Sequence, residues 1–333
     1  MALVRSMSNP ILKASDVPFD ASLVFNAGVC KFNGRYVMVF RNDVGFSAKG
    51  WDAGKTCTNL GIAFSGDGVK WNVQPEPWKV AADIVASNPE YTRFYDPRLT
   101  VIDGRCCLCF AVDTKHGVRG GVAVTDDFEK FEILSLSAPD NRNMVLFPEK
   151  IGGLFVRLER PFPEYSRGYQ EKFDIWSSTS PDCRFWGDTN LVLGMEDVPY
   201  ANAKIGPAAP PIRTPKGWLC VFHATYKDKS RNLCGWECAD NPAATWNKEY
   251  MAGLMLLDLE NPQKVIGLAP EPLLRAAEPY ELEGFRGSVI FPGGMILEDD
   301  GEVKLYYGAA DTVECLATAP VDDLLAMIRP FHR

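Results

Sequence analysis

The chain has 333 residues, 46% hydrophobic and 23% charged, an ordinary globular composition that can bury a sizeable core. Its formal net charge of -8 argues against a nucleic-acid partner or an anionic membrane surface, since both select basic faces. No helix-like apolar run approaches the roughly 20 residues that cross a bilayer, and Met1 to Pro10 has no apolar h-region or small-residue cleavage site, so a cytoplasmic protein without a signal peptide is expected.

One template recurs along the chain: an apolar strand, a tight turn containing Gly, and a second apolar or aromatic strand. It runs first from Gly28–Phe32 through Asn33-Gly34 to Arg35–Phe40. It returns as Leu99–Ile102, Asp103-Gly104 and Arg105–Phe110, then as Val145–Ile151, Gly152-Gly153 and Leu154–Leu158. Ile212 leads through Lys216-Gly217 to Trp218–Phe222, and Met295–Leu297 through Asp300-Gly301 to Val303–Tyr307. Gly turns between apolar runs are the strongest short-range hairpin signal. A second repeat lies between the hairpins: Ser65-x-Asp67 before Trp71, Thr125-x-Asp127 before Phe131, and Ser180-x-Asp182 before Trp186. The short polar side chains can cap a turn, and the aromatic six positions after the hydroxyl can plug the next strand against a neighbouring sheet.

Five such hairpins with interleaved turns predict an all-β fold, a five-bladed β-propeller of four-stranded sheets. The expectation is one domain over residues 1–333. Its one clear helix, Asp322–Met327, lies in a short tail over 321–333. The long polar segment from Lys227 to Tyr250 reads as a functional or lid-like loop, or as a solvated excursion.

Ten cysteines and three histidines show no metal-ligand spacing. Cys106, Cys107 and Cys109 alternate along one strand, and Cys234 and Cys238 form a single loose pair. Reduced thiols and no metal are the expectation.

A propeller gathers residues from the entrances of its inner strands around one channel. Asp96, in Tyr95-Asp96-Pro97-Arg98, stands at such an entrance. Pro97 biases it towards extended backbone, and Arg98 supplies a charge that could orient it. Alone, an Asp before Pro reads first as a turn residue. Arg142, Arg160, Lys204 and His223 also fall at predicted strand ends and together make an anion site in an acidic protein, guanidinium forks matching phosphate oxygens. Asp311 ends the aromatic strand Tyr306–Ala310. Inverting hydrolysis of a glycosidic bond needs two carboxylates. Phosphorolysis needs one acid and a cationic seat, because phosphate arrives already anionic. One acid with several cations therefore favours phosphorolysis.

The chain resembles glycoside hydrolase family 130, the β-mannoside phosphorylases, over nearly its whole length. The matching segments are Phe25–Gly28, Tyr95–Arg98, Leu146–Lys150, Lys204–Gly206, Leu256–Leu259 and Tyr306–Asp311. Glu159–Pro161 with Tyr165–Gly168, Ile290–Met295 and Glu314–Ala319 look most like the branch acting on 4-O-β-D-mannosyl-D-glucose. The resemblance implies a five-bladed propeller with Asp96 as the catalytic acid, passing its proton through the 3-hydroxyl of the bound mannose. It also implies a phosphate site of Arg142, Arg160, Lys204, His223 and Tyr250. Asn26, Arg41, Arg98 and Asp311 are implied as sugar contacts or as groups that orient Asp96. The expected reaction is inverting phosphorolysis to α-D-mannose 1-phosphate and D-glucose, with phosphate as co-substrate, no cofactor, and a homo-oligomeric enzyme. The alternatives are phosphorolysis of β-1,4-mannooligosaccharides or mannosyl-N-acetylglucosamine, hydrolysis on the same scaffold, and a non-catalytic sugar-binding propeller.

Overall fold

The computed structural model describes residues 3–47, 50–51, 56–228, 230 and 246–332. Most of the 227–250 loop, with Trp236, Cys234 and Cys238, lies outside the described residues. In chain order, β1 (Val4–Arg5) precedes β2 (Leu23–Phe32), β3 (Arg35–Val44), a small ribbon of β4 (Phe46–Ser47) and β5 (Gly50–Trp51), β6 (Cys57–Ser65) and β7 (Asn72–Val73). Helix α1 (Lys79–Ala86) leads to β8 (Tyr91–Ile102), β9 (Arg105–Thr114), β10 (Gly117–Thr125) and β11 (Glu132–Leu136). Next come β12 (Asn141–Leu146), β13 (Phe155–Pro161), β14 (Ile175–Ser180) and β15 (Gly187–Leu193). They are followed by β16 (Ile205–Pro207), β17 (Ile212–Thr214), β18 (Gly217–Lys227), β19 (Lys248–Leu257) and β20 (Val265–Leu268). The chain ends with α2 (Pro279–Leu282), β21 (Ile290–Leu297), β22 (Glu302–Ala309), β23 (Val313–Pro320), α3 (Val321–Met327) and β24 (Arg329–Pro330).

These strands form five antiparallel blades, β2-β3-β6-β7, β8-β9-β10-β11, β12-β13-β14-β15, β16-β18-β19-β20 and β21-β22-β23-β1. The fold is a five-bladed β-propeller. The amino-terminal β1 completes the last blade, Val4 opposite Thr318 and Arg5 opposite Ala317, so the ring closes between the two ends of the chain. All five Gly-turn hairpins form as the sequence predicts. The hydroxyl-x-Asp repeats cap turns: Ser65 Oγ accepts the Gly68 N–H at 2.8 Å, and Asp67 Oδ1 accepts those of Val69 and Lys70, each at 2.8 Å. Their aromatics reach across blades. Trp71 packs edge-on to Tyr306 of the fifth blade, and Trp186 donates to Ser135 Oγ of the second. Helix α1, unannounced by the strand-like pattern around it, buries one face through Val80, Ala81 and Ile84.

Apolar side chains fill the spaces between blades, and the axis is left to polar groups. Three inner strands, β2, β8 and β12, share one irregularity. Their ladder registers slip between Phe25 and Gly28, between Tyr95 and Arg98, and between Arg142 and Val145. Within these bulges Asn26, Asp96 and Asn143 adopt φ of 54°, 52° and 59°. Asn and Asp tolerate this left-handed region better than other residues with a Cβ, and a bulge re-aims a side chain. Asp96 is thus inside β8 rather than before a strand, and it is left-handed rather than extended as Pro97 suggests. The bulge outweighs the local bias.

Arg98 is the hub of the ring. Fully buried, its guanidinium donates to the carbonyls of Ala208, Asn26, Pro97 and Pro292, from four of the five blades. Gly293 lets the blades close on it, since a Cβ there would stand 1.9 Å from the Ala27 carbonyl oxygen. Arg98→Met should therefore cost roughly 3–5 kcal/mol by leaving several buried carbonyls without a donor. Urea or thermal unfolding checks this.

Candidate active site

The bulges open into a polar pocket on the propeller axis, about 500 Å³ including its mouth. Asn26, Arg41, Asp96 and Asp311 line one side. Arg142, Arg160 and Tyr250 line the other. Asn143, Arg286 and Phe291, to which the sequence pattern assigns no role, also border it, as does Trp246 from the end of the long loop. A polar residue beside each bulge or strand entrance was the available signal for Asn143 and Arg286.

On the first side, Asp43 grips Arg41 with two hydrogen bonds, Nε to Oδ1 at 3.0 Å and Nη2 to Oδ2 at 2.7 Å. This bidentate fork leaves Arg41 Nη1 facing Asp96 Oδ1 at 3.4 Å, while Asn26 Nδ2 donates to the same oxygen at 3.1 Å. Burial pushes the Asp96 carboxyl up. The charges of Arg41, Arg98 and Arg142 outweigh that, leaving it below the ordinary carboxylate value. The sequence left the balance open, and the surrounding guanidinium groups decide it. Asp311 receives Arg286 Nη1 at 3.2 Å, and burial raises its carboxyl despite that contact. Arg98 lies behind this wall and acts on Asp96 only through its charge.

The opposite side is cationic. Tyr95, itself donating to Asp113 at 2.8 Å, receives Arg142 Nη1 at 3.1 Å. Arg160 is 2% exposed, lies over the stacked rings of Phe162 and Phe173, and donates from Nη1 to His223 Nε2 at 2.8 Å. That donation fixes a neutral His223 with its proton on Nδ1, and burial beside Arg160 pushes its value well down. Among the described residues, Arg160 Nε and Nη2, Arg142 Nε and His223 Nδ1 are buried without a partner. Such donors are costly to leave unpaired. Burial, and next the charge of Arg142, push Arg160 down to about 9. Gly206 keeps this wall tight, because a Cβ there would stand 2.5 Å from His223 Cε1 and 2.8 Å from Arg160 Cδ. Lys204 sits behind Tyr250, its Nζ 5.5 Å from the ring centre. Tyr250 itself stacks on Trp246, centroids 5.9 Å apart.

Among the described residues, no group of three or more His, Cys, Asp or Glu is placed to hold a metal ion. No helix among them is long and apolar enough to cross a membrane.

A buried acid facing a seat of cationic donors without partners among the described residues defines a class of site built to receive an anion. The family model for glycoside hydrolase family 130, described as beta-1,4-mannooligosaccharide phosphorylase, matches residues 7–330, and the chain belongs to that family. The phosphorylases of this family are enzymes that transfer mannosyl groups with phosphate, and this chain is an enzyme of that kind. The β-1,4-mannooligosaccharide phosphorylase of Ruminococcus albus is 30% identical, over 98% of this chain and 90% of its own. The 4-O-β-D-mannosyl-D-glucose phosphorylase of Bacteroides fragilis is 26% identical, over 96% and 77%. The solved β-1,2-mannobiose phosphorylase of Listeria innocua, in complex with β-1,2-mannobiose, superposes with a TM-score of 0.79 at 25% identity, over 98% of this chain and 99% of that one.

Proposed function

We propose that this enzyme catalyses inverting phosphorolysis of 4-O-β-D-mannosyl-D-glucose, giving α-D-mannose 1-phosphate and D-glucose. The observation that carries phosphate is Arg160, a buried guanidinium whose Nε and Nη2 have no partner among the described residues, beside Arg142 and the Nδ1–H of His223. A phosphate dianion seated there satisfies these donors with charge-assisted hydrogen bonds and relieves the crowding of like charges. One phosphate oxygen then forms the new bond to the anomeric carbon as the bond to the glucose oxygen breaks. Asp96 gives its proton to the mannose 3-hydroxyl, which passes its own to the leaving oxygen.

Phosphate also prepares the acid. The three guanidinium charges that hold Asp96 ionised are partly neutralised by two negative charges placed against Arg142. The carboxyl value rises, and burial then favours the protonated form. Arg41 and Asn26 keep the Asp96 side chain aimed at the sugar, and Asp311 with Arg286 supplies polar contacts on the same side.

Glucose as the leaving sugar rests on the similarity of Glu159–Pro161, Tyr165–Gly168, Ile290–Met295 and Glu314–Ala319 to that branch. A second reading, phosphorolysis of β-1,4-mannooligosaccharides, is favoured by the family description and by the Ruminococcus albus relative. Rates with mannosyl-glucose, β-1,4-mannobiose and mannotriose, and β-1,2-mannobiose, each with phosphate, separate these readings. Mannosyl-glucose is expected to give the highest kcat/KM. A clear preference for mannotriose would transfer the assignment. The proposed setting is a cytoplasmic homo-oligomer.

A further inference from the structure

Glu171 lies in the segment joining β13 to β14, and three ammonium groups converge on it. Its Oε1 takes Lys204 Nζ and, at 3.1 Å, Lys248 Nζ, and its Oε2 lies 2.6 Å from Lys227 Nζ and 2.8 Å from Lys248 Nζ. Lys227 and Lys248 face each other across the β18–β19 ladder and are part-exposed, with side chains 33% and 23% accessible. The Lys204 side chain is 7% accessible, pairs with this carboxylate, and feels the charges of Arg160 and Arg142 of the phosphate seat. Around it are Arg160 from β13, Arg142 from β12, His223 and Lys227 from β18, and Lys248 and Tyr250 from β19. Glu171 is the anion that ties this crowd together.

Resting on the phosphorylase reading above, we propose that Glu171 is a positioning residue of the phosphate seat, the fixed counter-ion that holds the Lys204 ammonium ready for the incoming anion. Lys204 meets two opposed influences. Burial first, and then the charge of Arg160, push it down to about 7, while Glu171 pulls it back up. That value of about 7 already includes the pull of Glu171, so without the Glu171 charge Lys204 gives up its proton below neutral pH, and phosphate must recruit one on arrival. Glu171 has a cost of its own, because a carboxylate behind Lys204 repels the phosphate dianion. At low pH, where Lys204 is protonated in any case, removing Glu171 removes only that repulsion. Between that lowered value and about pH 7 the same change removes the ammonium from the seat, and above it the variant recruits its proton at a greater cost than wild type.

The two effects therefore cross with pH. Calorimetric titration of inorganic phosphate into Glu171→Gln should show affinity equal to or tighter than wild type at about pH 5 and at least about tenfold weaker at about pH 8.5. Taking the ratio of variant to wild type at each pH cancels the titration of phosphate itself. Glu171→Asp, which keeps the charge, should stay within about threefold of wild type at both pH values. KM for the disaccharide at saturating phosphate should not move. Equal loss at both pH values, or no loss at the higher one, overturns the positioning role while leaving the phosphorylase reading intact. A wild-type protein that binds no phosphate overturns that reading itself.

Discussion

Asp96→Asn should lower kcat by about 10²–10⁴-fold, the usual contribution of a general acid, with the propeller still folded. The amide keeps the shape of the side chain and can still meet Asn26, but it has no proton to give. Arg41 stays anchored by Asp43, so the pocket wall does not collapse. KM for phosphate should fall or stay constant, because the variant removes a negative charge that faces Arg142. Stability carries its own signature. The fold holds the Asp96 carboxyl below its ordinary 3.8, so its ionised form contributes stability that is full above that value and lost as pH falls through the lowered one. The deficit of the variant relative to wild type should accordingly be largest near neutral pH and shrink in acid. Steady-state rates and thermal melts across pH check both statements. Near-wild-type turnover would remove Asp96 from the role.

Arg160→Ala should raise KM for phosphate by about 10²-fold, corresponding to about 3 kcal/mol for truncating one side of a buried charge-assisted contact. Two terms oppose each other here. Loss of the unpaired Nε and Nη2 donors weakens the seat, while removal of one cation relieves Arg142 and Lys204, whose values Arg160 depresses or crowds. The first dominates, because the contact is direct and the site is buried. KM for the disaccharide should stay near wild type, and saturating phosphate should recover part of kcat. Arg160→Lys should recover less than its charge suggests, since an ammonium cannot present two parallel donors and would not reproduce the donation to His223. Initial rates over a grid of phosphate and sugar concentrations measure both KM values together. A parallel rise in both would point to a collapsed pocket rather than a lost anion contact.

The sequence disclosed whatever local chemistry dictates. Asn33-Gly34 and its counterparts announce hairpins because a two-residue turn needs residues that tolerate positive φ, a demand met within four residues of chain. Ser65, Asp67 and Trp71 announced a capped turn followed by a plug for the same reason. The partners of Asp96 were not legible in this way. Asn26 and Arg41 lie 70 and 55 positions away and meet Asp96 only when the first two blades stand side by side. Proximity in sequence misled for Arg98, whose side chain turns from the pocket to the carbonyls of other blades. It misled for Pro97 as well, since ring closure demands a bulge that pre-proline bias alone would not choose. Glu171 left no trace because Glu164, Arg167, Lys172 and Asp174 surround it with charge in the same loop, and its importance comes from three lysines that other elements deliver to it.

Phosphate dependence with product identity tests the central claim most directly. Mannosyl-glucose is incubated with the enzyme, with and without inorganic phosphate, and the products are followed by proton and phosphorus NMR. The account predicts α-D-mannose 1-phosphate, with no β-anomer, and glucose with phosphate, and no cleavage without it. Free mannose released at the same rate without phosphate would contradict it, showing that Asp96 and Asp311 work as a hydrolytic pair and that the cationic seat serves another purpose.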